Sequence, residues 1–183
     1  HPTARVSGSI RISGESELIV GAQCVLRGVD MVLAHGARVE IEEGAILDYS
    51  TCPLPAGICV DNGRLRIGDH ANLKCSMVVR FGGRMEIGAR TGVSHGAEIR
   101  CEESVVIGRY CLVSYDVCIY DTNTHSLDWR ERRERIERGY PCGTGEIQRP
   151  ATRPVVIGDD VWIGKRAMIA KGTTLGDRTI VGM

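Results

Sequence analysis

The sequence predicts an all-β solenoid, in which short parallel strands coil around one axis, and two observations support this fold class. The 183 residues include 23 glycines, 17 isoleucines and 18 valines, but only one Phe, two Trp and five Tyr. A core of small branched side chains favours many short strands and tight corners over packed amphipathic helices. Aliphatic residues also recur every six positions over most of the chain, a period that an ordinary β-sandwich does not require.

The repeat begins with an aliphatic residue, which Gly usually follows, and a small or β-branched residue comes four places after the first. It starts at Val20, Ile41, Ile67, Ile87, Ile107, Ile157 and Leu175. Further aliphatic residues follow every six places, as Val93 and Ile99 follow Ile87. Three hexads make one unit, which is the step from Ile157 to Leu175, and the longer step from Ile67 to Ile87 indicates a corner with two extra positions. We expect triangular coils with the aliphatic residues inside, stacked through main-chain hydrogen bonds about 4.8 Å apart.

One long interruption breaks the repeat between Ile107 and Ile157, where about 30 residues are inserted, roughly from 122 to 154. A long loop in a rigid solenoid is a common place for function. Within it, the segment from Ser126 to Gly139 is predicted to form a short helix with Ser126 as its N-cap. The seven arginines and five acidic residues of the insert fit either a solvated face or a site for an anionic sugar or nucleotide.

Composition excludes several classes of protein and defines the remaining expectations. The formal net charge is zero, so general binding of nucleic acid is not expected. No apolar stretch is long enough to indicate a membrane span, and the N-terminus does not resemble a secretory signal, so we expect a cytoplasmic protein. The eight cysteines form no C-x-x-C pair and no Cys/His cluster, which argues against a metal site. We predict one β-helix domain over residues 1–183.

His125 is the main catalytic candidate, because it alone among the five histidines follows a strand run and opens the insert. A neutral imidazole can accept a proton from an attacking hydroxyl, although a loop histidine is also often structural. Asp121 lies four residues earlier, and three roles stay open for it: orienting the imidazole, binding the acceptor or holding the turn. Asn123, between the two, either contacts the acceptor or forms the turn.

The hexads, the Asp121…His125 spacing and the stretch from Val155 to Gly164 together resemble the hexapeptide-repeat acyltransferases. Within that family they are similar to the galactoside, maltose and polysaccharide O-acetyltransferases. The resemblance implies a left-handed parallel β-helix, with His125 as the general base at the start of the loop. It also implies acetyl-CoA as co-substrate without a metal, and a homotrimer with its sites between subunits.

Acceptor contacts are expected from Asn123, from His95, which lies two places after the leading Val93, and from Tyr115. The resemblance assigns the CoA contacts by their position in the motifs. The residues implied to contact CoA are Trp162, Gly164, Lys165, Ala170, Lys171 and Met183. As a surface for the other subunits we expect apolar residues that point outward, namely Cys75, Met77 and Cys101.

The predicted function is transfer of an acetyl group to a hydroxyl of a sugar or polysaccharide precursor. Four alternatives stay open: N-acetylation of an amino sugar or its nucleotide-linked form, serine O-acetylation, a γ-type carbonic anhydrase, and a non-catalytic β-helix subunit. The serine enzymes carry a helical N-terminal domain, for which the sequence has no helical period. The anhydrases need two zinc-binding histidines five positions apart, a spacing that this chain lacks.

Overall fold

The computed structural model describes residues 1–50, 57–138 and 149–183, in which short strands line three flat faces of a parallel β-helix. The first face holds the strands Glu17–Val20, Arg38–Ile41, Arg64–Ile67, Arg84–Ile87, Ser104–Ile107, Val155–Ile157 and Thr174–Leu175. The second face holds Ile46–Asp48, Asn72–Leu73, Gly92–Val93, Leu112–Val113, Trp162–Ile163 and Ile180–Val181. The third face holds Gly57–Asp61, Ser76–Val79, Glu98–Cys101, Cys118–Tyr120 and Met168–Ile169.

Two longer strands near the N-terminus, Arg5–Ile12 and Val25–Ala34, pair with each other. The second of them joins two faces, because its first residues pair with the strand Ile46–Asp48 and its last residues with Gly57–Asp61. The hexad period is weak before residue 41, which is why these strands do not show in the repeat.

The register of the ladders confirms the predicted spacing of the units. Arg84 pairs with Arg64 on one side and with Ser104 on the other, so these coils have the longer of the two predicted lengths. Val156 pairs with Thr174, which is the shorter step of three plain hexads. Every ladder between these strands is parallel, as stacked coils of one chain require.

The aliphatic and small residues that the hexads predicted as core lie inside the coils. Leading residues such as Ile67, Ile87, Ile107 and Ile157 are at most 1% exposed. The small residues four places later are buried beside them: Cys24, Ala45, Ala71, Thr91, Cys111 and Val161. Because no coil can cover its own interior ends, this packing joins each coil to its neighbours.

The glycine after the leading residue is needed for close approach between coils. A Cβ on Gly68 would lie 2.6 Å from the amide nitrogen of Ala89, and one on Gly88 would lie 2.5 Å from the carbonyl carbon of Gly108. The left-handed backbone conformation occurs two residues further on, at non-glycine residues such as His70 and Arg90. Gly therefore allows close approach between the coils, but it does not supply the left-handed conformation at this corner.

The expectation that Cys75, Met77 and Cys101 point outward is wrong, since all three side chains are fully buried inside the coil. Side chains alternate along a strand, so a residue two places after a buried one lies on the same face. Met77 lies two places before buried Val79, and Cys101 lies two places after buried Ile99. These residues therefore belong to the core and give no support to a subunit interface.

The insert leaves the coil after the third face and carries a helix, Trp129–Glu137. Its N-cap is Asp128, whose side chain accepts from the Arg130 N–H, and not the predicted Ser126. The Ser126 hydroxyl instead accepts from the Asp128 N–H at 3.1 Å. The predicted end at Gly139 lies outside the described residues. No helix of the described chain is both long and apolar enough to cross a membrane.

Candidate active site

His125 lies on a sharp turn that follows the strand Cys118–Tyr120. Thr124 has a left-handed backbone with φ of 62°, and the His125 N–H donates to the Asn123 carbonyl at 2.7 Å. The Thr122 hydroxyl accepts from the Thr124 N–H at 3.0 Å, which closes the turn from the other side. The turn holds the His125 side chain on the exposed surface, next to the beginning of the insert.

Asp121 is buried at the base of this turn and contacts the backbone of the preceding coil. Its carboxylate accepts from the N–H groups of Glu102, Glu103 and Ser104 at 2.7–2.8 Å. Burial raises the pKa of the Asp121 carboxyl, and these amide hydrogen bonds oppose that rise. Of the three roles left open for Asp121, these contacts support holding the turn.

Two polar contacts fix the base of the insert to the coil below. Buried Glu102 accepts from the Thr122 hydroxyl at 2.8 Å and forms an ion pair with Arg80. Glu103 accepts from the Thr152 hydroxyl at 2.5 Å. Thr122 and Thr152 also form an antiparallel bridge. The two ends of the insert are thus joined to each other and to one corner, which orients the chain on which His125 lies.

The imidazole of His125 faces a group of guanidinium charges. Arg135 of the helix lies closest, with its Nη1 atom 3.1 Å from the His125 Nδ1. The pKa of His125 is lowered, first by partial loss of water around the ring and then by the charges of Arg135, Arg100, Arg132 and Arg80, in that order. A lowered pKa keeps the imidazole neutral at pH 7, which is the form that can act as a base.

The acceptor candidates His95 and Tyr115 lie at a different corner, the one between the second and third faces. Their rings pack edge to face, with centroids 4.5 Å apart. Lys165 takes the same position one coil further, since the strand Leu112–Val113 pairs in register with Trp162–Ile163 and the Arg166 N–H donates to the Tyr115 carbonyl. His95, Tyr115 and Lys165 therefore form one column along this corner.

A groove of about 360 Å³ runs beside this column on the second face. Trp162 and Leu112 form its apolar wall, and Gly92, with no side chain, leaves the space between the coils. Ser94, Ser114 and Lys74 add polar groups. Three residues predicted from the sequence, Trp162, His95 and Tyr115, thus share one concave surface.

The remaining CoA candidates divide between two corners. Gly164 packs against the last coil, and a Cβ added to it would lie 3.1 Å from the Met183 amide nitrogen. Gly164 and Met183 are therefore neighbours, close to the column of His95, Tyr115 and Lys165. Ala170 and Lys171 follow the third face, at the corner from which the insert departs. Next to them, the Gly172 N–H donates to the carbonyls of Arg153 and Pro154 at the end of the insert.

The predicted site residues therefore form two groups within one chain. His125, Asp121 and Asn123 lie at the corner between the third and first faces, whereas His95, Tyr115, Trp162 and Lys165 lie at or beside the other end of the third face. A short strand separates the groups, which corresponds to about 15 Å. The sequence indicates a charged run in the insert, but it does not predict that Arg132 and Arg135 lie near His125 together with Arg100 and Arg80 of the third face.

The positions of the histidine, cysteine and acidic side chains bear on whether the described residues could hold a metal ion. Among residues 1–50, 57–138 and 149–183, no group of three His, Cys, Asp or Glu side chains is arranged to hold a metal. His70, His95 and His125 lie at three different corners, which does not match a three-histidine zinc site in one chain. Cys24, Cys75, Cys101 and Cys111 are buried in the coil, and Cys59 and Cys118 are half-buried.

Comparison with known proteins finds relatives among transferases. Residues 154–183 match the family described as bacterial transferase hexapeptide (six repeats). The chain is 25% identical over 109 residues to the polysialic acid O-acetyltransferase of Escherichia coli O1:K1 / APEC, over 59% of this chain and 31% of that protein. It is 25% identical over 116 residues to the galactoside O-acetyltransferase of Escherichia coli (strain K12), over 63% of this chain and 50% of that protein. The matches thus span no more than half the length of these curated relatives.

The fold is also found among solved structures. The crystal structure of the polySia specific acetyltransferase NeuO matches 98% of this chain and 70% of its own, with a TM-score of 0.70 at 18% sequence identity. That neighbour is a left-handed parallel β-helix, so the predicted fold class is confirmed. The predicted resemblance to the hexapeptide-repeat acyltransferases is confirmed as well, and residues 154–183 carry hexapeptide repeats of the bacterial transferase type.

Proposed function

We propose that this protein is an acetyl-CoA-dependent O-acetyltransferase that acts on a hydroxyl of a sugar or polysaccharide precursor. One observation carries the proposal: an exposed histidine with a lowered pKa opens the long insert of a hexapeptide-repeat β-helix. The two curated relatives support it, because one is named for a galactoside and the other for polysialic acid, and both are named O-acetyltransferases.

In the proposed reaction, His125 accepts the proton of the acceptor hydroxyl as the hydroxyl oxygen attacks the thioester carbonyl of acetyl-CoA. The tetrahedral intermediate then collapses, the carbon–sulfur bond breaks, and the imidazolium returns its proton to the sulfur of CoA. The products are the acetyl ester and free CoA. The low pKa of His125 suits both transfers, because the ring is neutral before the attack and acidic after it.

The proposed binding groups require more than one subunit. Trp162, Gly164, Lys165 and Met183 lie at or near the corner between the second and third faces, and His125 lies at the opposite end of the third face. In a homotrimer, that corner of one subunit can face the insert of the next subunit, and the two half-sites meet. We therefore propose that the site lies between subunits, with Ala170 and Lys171 contributing from the His125 side.

An assay of thiol release from acetyl-CoA tests the function. We expect free CoA to appear only when a hydroxylated acceptor is present, tested with monosaccharides and oligosaccharides of neutral, acidic and amino sugars. Mass spectrometry of the product separates an ester from an amide, because mild alkali removes only the ester. No acceptor-dependent thiol release with any of these sugars would contradict the proposed function.

A further inference from the structure

The backbone turn that ends at His125 is of a strained kind. The His125 N–H donates to the Asn123 carbonyl at 2.7 Å, and Thr124 between them has a φ of 62°. A hydrogen bond from residue i+2 to residue i, around a central residue with positive φ, is the rare form of the γ-turn. Positive φ is especially unfavourable for a β-branched residue such as Thr. The turn therefore persists only where contacts from outside hold it in place.

A contact of this kind comes from Thr122, a residue that is 5% exposed. The Thr122 hydroxyl oxygen accepts from the Thr124 N–H at 3.0 Å, and the hydroxyl donates its proton to the Glu102 carboxylate at 2.8 Å. Because a hydroxyl has a single proton, the bond to Glu102 leaves the lone pairs of the oxygen for the Thr124 N–H. The direction of the Thr122 hydroxyl is thus set by the coil below the turn.

Glu102 is itself fixed by an ion pair with the next coil down. It is only 1% exposed, and its other carboxylate oxygen contacts the Arg80 guanidinium. Arg80 and Glu102 directly follow the strands Ser76–Val79 and Glu98–Cys101, which pair in register. A buried ion pair often adds little net stability over apolar packing, and its best-attested use is to specify geometry. Arg80, Glu102 and Thr122 therefore form a column of polar contacts that ends at the turn.

We propose that Thr122 is a positioning residue for the base: held by Glu102 and Arg80, its hydroxyl fixes the strained turn and with it the direction of the His125 imidazole. The proposal rests on the proposed function, in which His125 is the base. Thr122 and Glu102 are buried, so neither is placed to contact acetyl-CoA or the acceptor. Their contribution is therefore to kcat through geometry, since a displacement of a reacting group by about 1 Å can lower a rate about 100-fold.

The same corner offers a matched control in Thr152. Its hydroxyl donates to Glu103 at 2.5 Å, so it also joins the insert to the coil below through a threonine and a glutamate. Within the described residues, the contacts of this hydroxyl are with Glu103 and Arg149, and not with the turn that carries His125. A residue that only tethers the insert should behave like Thr152, whereas a positioning residue should not.

The first test compares three variants in the thiol-release assay. Thr122→Val keeps the approximate shape of the side chain and removes the hydroxyl. We expect it to lower kcat by about 10- to 100-fold, with KM for both substrates within about twofold of the wild type. Thr122→Ser keeps the hydroxyl and should restore most of the lost turnover. Thr152→Val should lower the melting temperature without a comparable loss of kcat.

The second test measures the imidazole directly, by NMR titration of the His125 ring in the free protein. The ring faces guanidinium charges from two elements, which are Arg135 and Arg132 of the helix and Arg100 and Arg80 of the third face. Neither Thr122→Val nor Thr152→Val changes any of these charges. Partial loss of water and these charges lower the pKa of His125, so a ring released from its position should show a pKa closer to the ordinary value of about 6.5. We expect this rise in Thr122→Val, and neither in Thr122→Ser nor in Thr152→Val.

The outcomes separate the positioning role from a tether and from failure of the proposed function. Equal losses of kcat in Thr122→Val and Thr152→Val would overturn the proposal, and so would a pKa of His125 that stays fully lowered in Thr122→Val. If Thr122→Val does not fold, Glu102→Asp replaces it, because it withdraws the carboxylate from Thr122 at constant charge, and Glu103→Asp is then the control. If wild-type protein releases no thiol with any acceptor, the proposed function fails, and the titration alone decides whether Thr122 positions the ring.

Discussion

At the scale of single residues, the proposed reaction depends on the protonation state of the His125 imidazole. Because that imidazole is the proposed base, His125→Ala should lower kcat by roughly 10²–10⁴-fold. The wild-type rate should fall as the pH decreases through the pKa of His125, because imidazolium cannot accept a proton. Since that pKa is lowered, the midpoint should lie below the ordinary value of about 6.5. A pH–rate profile measures it, and this acidic limb should vanish in the mutant.

The control for this experiment is His70→Asn. His70 lies at another corner in the left-handed conformation, which Asn tolerates, so turnover should change little. The general-base assignment would be wrong if His125→Ala kept more than a third of wild-type turnover on a verified acceptor.

A second residue-scale prediction concerns the role of Asp121. Because its carboxylate accepts from three backbone amides, Asp121→Asn should destabilise the corner by about 1–3 kcal/mol, the cost of poorly paired buried groups. The melting temperature should fall, while the midpoint of the acidic limb stays in place. A downward shift of that midpoint would instead show that the carboxylate stabilises the His125 imidazolium, as an orienting residue does.

At the scale of the repeat unit, the same hexad position should tolerate a methyl group differently along the solenoid. A Cβ on Gly88 meets the Gly108 backbone at 2.5 Å, whereas a Cβ on Gly176 has no neighbour within 4 Å. Gly88→Ala should therefore cost about 1–3 kcal/mol through overpacking. That corresponds to a fall in melting temperature of roughly 3–10 °C for a chain of this size. Gly176→Ala should stay within about 0.5 kcal/mol of the wild type. Equal effects would contradict the close-approach role.

The repeat unit is also the level at which sequence predicts structure best here. A period of six places Ile67, Ile87 and Ile107 inside, because every coil repeats the same environment and each unit adds independent support. The period does not predict whether the side chains of Cys75 and Met77 point inward or outward. Their orientation depends on how side chains alternate along the strands of the longer coils. Nor does it predict the helix start at Asp128, because Asp128 and Ser126 are both residues that cap helices well.

For the whole molecule, sequence reasoning places the candidate residues along the chain but not in space. The motif positions of His125 and Lys165 are readable from the sequence, yet only the coil geometry puts them at opposite ends of one face. The Arg135 contact could not be predicted either, since it joins residues ten apart across an insert with no repeat to set its path. These gaps share one cause: the arrangement depends on tertiary and subunit packing that no local pattern encodes.

The second face presents an apolar strip that a homotrimer would cover. Leu112, Trp162 and Ile180 pair in register on neighbouring coils and are 63%, 52% and 68% exposed. We expect light scattering to give about three times the chain mass of 19.9 kDa. Leu112→Glu should shift the mass toward one chain, since a charge would be buried in the interface. Val156→Glu, on the first face, should leave it unchanged.

Subunit mixing tests whether the proposed site is shared, and it needs two inactive variants. His125→Ala removes the base, and a double variant, Trp162→Ala with Lys165→Ala, removes the donor side at the other corner. If each site combines these corners from two subunits, a trimer that contains both variants has one interface where neither change occurs. Refolding the two together should therefore restore a measurable fraction of wild-type turnover, whereas each variant refolded alone stays inactive. Mixed trimers without activity would place the whole site in one chain, and a single-chain mass at micromolar concentration would exclude a shared site altogether.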